Sequence, residues 1–174
     1  MANQTLIVSA IGDDRPGLVE ALATTISSHG GNWLDASMAH HSGKFAGIVT
    51  VAVPAEAVAA LSAALQSTPG LKIAVEPAGA ATPAVQPRRR LTLSLVGHDR
   101  PGIVAEVSQV LARRRVNVEK LETRAASAPM SAEMLFHYDA ELSAAVDLDA
   151  AALKGELEQL SNELMVELHL GVAL

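Results

Sequence analysis

Apolar and polar positions alternate along "TLIVSAI" (residues 5–11) and along "LTLSLV" (91–96), with β-branched residues among them, and both stretches predict strands. The period then lengthens. Leu18, Val19, Leu22 and Ile26 recur at helical spacing, as do Ile103, Val104, Val107, Val110 and Leu111. Gly30 and Gly31 predict the end of the first helix. "NWLDASMAH" (32–40) and "NVEKLETRA" (117–125) read as second strands, and "GIVTVAV" (47–53) and "EMLFHYD" (133–139) as third strands. Val58, Leu61 and Leu65 mark a second helix; Leu153, Leu157, Leu160 and Leu164 mark its counterpart, with Asp149 as the N-cap. "LKIAVEP" (71–77) and "MVELHLG" (165–171) close each half with a strand.

The order is therefore βαββαβ, twice. It predicts an α+β chain of two tandem ferredoxin-like domains, each a four-stranded antiparallel sheet with two helices on one face. The halves are also alike in sequence. "GDDRPGLV" (12–19) and "GHDRPGIV" (97–104) stand 85 residues apart, and at that offset Leu6, Ser9 and Asn32 meet Leu91, Ser94 and Asn117. An internal duplication accounts for this. Between the copies, "PAGAATPAVQPRRR" (77–90) reads as a linker, giving domains at 1–79 and 90–174 with 80–89 between them. The last strands align at an offset of about 95, so the second half is expected to hold about ten extra residues, around "AASAPMS" and before Asp149. The sheet face without helices needs cover, which domain pairing or a homodimer would supply.

Composition narrows the function. The 174 residues are 49% hydrophobic and carry a net charge of −6, shared equally: 3 basic and 6 acidic groups in residues 1–83, 10 and 13 in 84–174. Direct nucleic-acid binding has no electrostatic support. There is no cysteine, hence no disulfide or thiolate metal site. No apolar run approaches the roughly 18 residues of a membrane span, and the N-terminus has no signal-like pattern, so a cytoplasmic protein without membrane contact is expected. His40 and His41 are adjacent in a strand and point to opposite faces, a poor arrangement for one metal. No cofactor or metal is expected.

The candidate chemistry lies in "DRPG" at each strand-to-helix junction. Pro16 and Pro101 suit a first helical turn. Asp14 and Asp99 are placed to cap its amides. Gly17 and Gly102 clear bulk so that a ligand or a second backbone can approach. The amides of that turn, including Leu18 and Ile103, favour a carboxylate, and an aspartate beside them could accept from an ammonium group. A free amino acid would satisfy both. Spacing alone favours a second reading: "DRPG" as a good helix start and nothing more.

"GDDRPGLVEALATTISSHGGNW" and "GHDRPGIVAEVSQVLARRRVNV" resemble the opening of ACT domains, and the resemblance covers both halves. It implies βαββαβ modules that bind amino acids and other small effectors at the loop after the first strand. It also implies that Asp14 or Asp99, and Asn32 or Asn117, contact the ligand. The chain departs from the serine-binding members, which have histidine where it has Gly12 and Gly97, and asparagine where it has Asp14 and Asp99. Two ACT-like modules without a catalytic domain resemble the glycine cleavage system transcriptional repressor family, regulators thought to contact a separate activator protein, with glycine as the signal. That resemblance implies a non-catalytic regulator of a partner protein, binding its effector between the loop of one module and a facing module of the same or a second chain.

Other classes fit less well. The four aromatic residues, Trp33, Phe45, Phe136 and Tyr138, form no RNA-stacking pair. Neither a helix-turn-helix nor a G-x-S-x-G turn is visible. Small acyl-phosphate hydrolases share the topology, but their arginine-bearing phosphate cradle matches "DRPG" poorly. The arginine triplets at 88–90 and 113–115 read as solvated faces. The main rival is a constitutive interaction module with no ligand.

Overall fold

The computed structural model describes residues 2–79, 88–128, 133–160 and 164–173. They form two compact units, residues 1–82 and 83–174. The first comprises β1 (Asn3–Asp13), α1 (Leu18–Ser28), β2 (Asn32–His41), β3 (Lys44–Pro54), a 3-10 turn (Ala55–Ala57), α2 (Val58–Gln66) and β4 (Leu71–Pro77). The second comprises β5 (Arg88–His98), α3 (Ile103–Arg113), β6 (Asn117–Ser127), β7 (Met134–Ala145), α4 (Ala150–Glu158) and β8 (Met165–Ala173). Each unit holds one antiparallel sheet, in the orders β2-β3-β1-β4 and β6-β7-β5-β8. The predicted α+β ferredoxin-like architecture is present twice.

Alternation places one face of each sheet against its helices. Leu6, Val8 and Ala10 of β1 and Val49, Val51 and Val53 of β3 join Leu18, Leu22 and Ile26 of α1 and Leu61 and Leu65 of α2 in one core. Leu91, Leu93 and Leu95 of β5 and Tyr138, Ala140 and Leu142 of β7 join α3 and α4 in the other. Within the helical stripes, Val19 and Val104 lie on the solvent side, 47% and 39% exposed. Helix α4 stops at Glu158, so Leu160 and Leu164 pack on the core from beyond its end. The Asp149 carboxylate accepts from the Ala152 N–H at 2.9 Å, the predicted N-cap.

Tyr138 is fully buried, and burial pushes its phenol above the ordinary range. Among the described residues its hydroxyl has no hydrogen-bond partner. Removing an unsatisfied buried hydroxyl relieves a desolvation cost. Tyr138→Phe is therefore expected to leave stability unchanged or raise it by up to about 1 kcal/mol. A urea titration showing a larger loss would reveal a partner for that hydroxyl.

Strand β5 takes in Arg88–Arg90, the counterparts of Asn3–Thr5 in β1, so Arg88 and Arg89 belong to the strand rather than to the linker. The repeats differ in two places. First, register locates the extra residues. Lys44 faces Asp13 while Leu135 faces His98, a third-strand offset of 91; Val75 faces Val8 while Leu168 faces Leu93, a last-strand offset of 93. The expected ten are thus eight, six of them in the β6–β7 connection. Part of "AASAPMS" lies outside the described residues. Second, the outer faces diverge. The first exposes Ile48 (54%) and Ile11 (50%). The second carries Lys120, Glu122, Asp139 and Glu141, with Ser94 Oγ donating to Asp139 Oδ1 at 2.6 Å and Lys120 Nζ lying 3.0 Å from Glu122 Oε1.

Candidate functional site

"DRPG" builds a different helix start from the one its prolines suggest. Gly17 and Gly102, not the aspartates, are the N-caps, in left-handed conformations at φ 91° and 94°. Pro16 stands before the cap, and with Gly17 at ψ −2° the pair makes the centre of a type II turn. The helical hydrogen bonds begin from the Ala21 N–H to Gly17 O and from the Glu106 N–H to Gly102 O. Amides between cap and first bond have no intrahelical partner, and no side chain caps either helix. Leu18 and Ile103 bury their side chains, 4% and 3% exposed, so they offer the site only backbone.

The expected capping by Asp14 and Asp99 is therefore corrected. The inserted turn carries both three residues upstream of the cap, where they are exposed rather than buried. Their backbones are tied to the hairpin: the Asp14 N–H donates to Gly43 O at 3.0 Å and the Asp99 N–H to Met134 O at 2.9 Å. The Asp14 carboxylate lies 3.7 Å from His40 Nε2, both groups half exposed. Its neighbour Asp13 pairs with Lys44, whose hydrogen bond and charge hold the Asp13 carboxyl below its ordinary range. His98, the equivalent of Asp13, faces Leu135 and makes no such pair among the described residues.

The glycines serve conformation more than clearance. Nothing lies within 4 Å of a Cβ built on Gly17, so space there is open; what demands glycine is the positive φ. At Gly102 only Glu106 Oε1 comes near, at 3.6 Å. Arg100 grips that glutamate in two hydrogen bonds, Nη1 to Oε1 at 2.8 Å and Nη2 to Oε2 at 2.6 Å. The equivalent Arg15 instead donates to Pro69 O across the first unit.

The asparagines stand far from the aspartates of their own modules. Asn32 faces Ala52, which faces Thr5, whereas Asp13 is at the far end of β1. Eight residues of strand separate those levels, about 27 Å. Asn117 repeats this, facing Ser143 and through it Arg90. A β-bulge follows each asparagine, at Leu34 between Trp33 and Asp35 and at Glu119 between Val118 and Lys120. Trp33 turns toward the core, while Asn32 is exposed with no side-chain partner among the described residues.

Asn117 does have partners. Its Nδ2 donates to Glu119 Oε1 at 2.8 Å, and the Ser143 hydroxyl donates to the same oxygen. Arg88 Nε donates to Ser143 Oγ at 3.0 Å and its Nη2 to Ser143 O at 2.9 Å. The two bonds, Ser143's the stronger, hold the Glu119 carboxyl below its ordinary range, and burial opposes them weakly. None of Glu106, Glu119 or Ser143 stood out in the sequence, and Arg88, read there as part of a solvated face, instead bonds Ser143. Their signal was the mismatch between repeats: at the equivalent positions the first has Ala21, Leu34, Ala52 and Asn3.

Among the described residues, no cluster of histidine and carboxylate groups could hold a metal ion, and no helix is long and apolar enough to cross a membrane.

The model of the ACT domain family matches residues 4–75 and 89–171. A solved structure of an unknown protein from Galdieria sulphuraria is 28% identical, with a TM-score of 0.82 over 98% of this chain and 100% of that one. A second, provisionally named a glycine cleavage system transcriptional repressor, is 16% identical, with a TM-score of 0.66 over 98% of each chain. No curated protein matches the sequence. ACT domains are regulatory, ligand-binding modules. With both repeats matched over nearly their full length, the chain belongs to the ACT domain family.

Proposed function

We propose that this protein is a non-catalytic regulator whose first-strand loops sense a small amino acid, such as glycine, and whose response modulates a partner protein, a transcriptional regulator of amino-acid metabolism. The observation that carries it is the uncapped helix start behind Gly17, with open space before it and, three residues upstream, the exposed carboxylate of Asp14, whose neighbour is His40. Backbone N–H groups and the helix dipole favour the ligand's carboxylate there. Asp14 accepts from its ammonium group. A small ligand cannot span the 27 Å or so to Asn32 of the same module, so the asparagine it meets belongs to a facing module, which we assign to a second chain in a homodimer. The apolar outer face around Ile11 and Ile48 favours such pairing. Ligand binding then shifts the population of conformations offered to the partner. The partner class is taken from the name of the second structure above, which shares the tandem fold.

A thermal-unfolding panel of the full chain against the common amino acids tests this. A ligand that binds only the folded state raises the midpoint, by the equivalent of about 2.7 kcal/mol at one hundred times its Kd. One or a few amino acids, glycine among them, are expected to do so, and Asp14→Ala to abolish the rise without unfolding the protein. No rise with any amino acid would favour a ligand-independent interaction module.

A further inference from the structure

The two repeats present the same backbone and different side-chain partners at both points of ligand contact. At the helix start, nothing approaches Gly17 within 4 Å, and the residue one turn on is Ala21. In the second repeat that residue is Glu106, locked by Arg100 with an oxygen 3.6 Å from where a Cβ on Gly102 would stand. Glu20 of the first repeat stands one position earlier and pairs with no arginine among the described residues. At the asparagine, Asn32 has no side-chain partner among the described residues and its bulge carries Leu34; Asn117 is taken by Glu119, whose oxygen also receives the Ser143 hydroxyl, backed by Arg88. An amide and a hydroxyl donating to one carboxylate oxygen, with a guanidinium bonded to that hydroxyl from behind, constitute an anion receptor. Here the chain fills it with its own side chain.

We infer that Glu119 and Glu106 are built-in carboxylates that close the second repeat to an amino-acid ligand, so that the chain binds one ligand, through Asn32, rather than two. This rests on the function proposed above. A ligand carboxylate arriving at Asn117 would have to displace an anion already hydrogen-bonded, and at Gly102 it would find the glutamate and its arginine already engaged with each other. At Asn32 it meets an unpaired amide.

Titration calorimetry of the full chain with glycine and with L-serine decides the matter. Wild type is expected to bind one ligand per chain. Asn32→Ala should weaken binding at least tenfold and Asn117→Ala less than twofold. The double variant E106A/E119L, which installs the alanine and leucine of the first repeat, should raise the stoichiometry to two. Two ligands on wild type, a tenfold loss confined to Asn117→Ala, or no second site in the double variant would overturn the inference. Should that variant fail to fold, Glu119→Gln, which keeps the shape and removes the charge, carries the same expectation. A second readout separates this idea from the function it rests on. The Asn117 side-chain amide resonances should move in Glu119→Gln while those of Asn32 stay. If they move and no amino acid binds any variant, the second repeat is self-occupied and the effector reading fails. If they do not move, self-occupation itself is wrong.

Discussion

Gly12→Ala is expected to destabilise the first module by about 3 kcal/mol or more, a large share of a small domain's stability. Gly12 lies on the helix-facing side of β1, paired with Leu71 at the start of β4. A Cβ there would stand 2.1 Å from Gly70 O and 3.0 Å from Leu71 Cδ2. The first of these is backbone, which no rotamer change can move aside. Nor can the turn retreat easily. Gly70 holds φ at +80°, and the Arg15 guanidinium lies against it, 2.7 Å from where a Cβ on Gly70 would be. The same crowding leaves no room for the histidine that serine-binding relatives carry at this position. Urea unfolding followed by the fluorescence of Trp33 measures the effect. A loss below 1 kcal/mol would show that the approach of β4 to β1 is soft.

The second large effect concerns the cores. Leu22 and Leu111 are fully buried, and they belong to separate clusters. Truncation of either to alanine should cost about 3–5 kcal/mol, the transfer loss plus the cavity left behind. The loss is expected to stay in one module. In hydrogen exchange, Leu22→Ala should accelerate amides within residues 3–77 and spare those within 88–160, and Leu111→Ala should do the reverse. Equal acceleration across the chain in either variant would show that both cores open as one cooperative unit.

Much of the fold was legible because the two signals that report it, alternation and the repeat, agree. Leu6, Val8 and Ala10 announce their face by period alone, and Leu91, Leu93 and Leu95 repeat it. The helix start was not legible, because proline-then-glycine serves equally as a first turn and as a type II turn before a cap. Only the sign of φ at Gly17 distinguishes them, and composition does not encode it. The aspartates and asparagines could be picked out by identity, but their separation along the sheet depends on strand register, which spacing 18 residues apart does not reveal. Glu119 was overlooked for a related reason. Its meaning comes from Ser143 and Arg88, brought to it by two strand pairings.

The extra residue in β2 and in β6 has a further effect. A regular strand alternates its sides, so Asn32 and Asp35, three apart, would face opposite ways; with Leu34 bulged out, both lie on the outer side. The bulge is a frameshift in the strand's alternation. Pair Leu34 regularly, without the bulge, and the asparagine would turn inward among the valines, while Trp33 would turn out to water. Delete Leu34 and both would keep their present sides. The irregularity stands at the same place in both copies, so the simplest history has it in the single ancestral module before doubling. What could drift afterwards was the side chain at its tip, leucine in one copy and glutamate in the other.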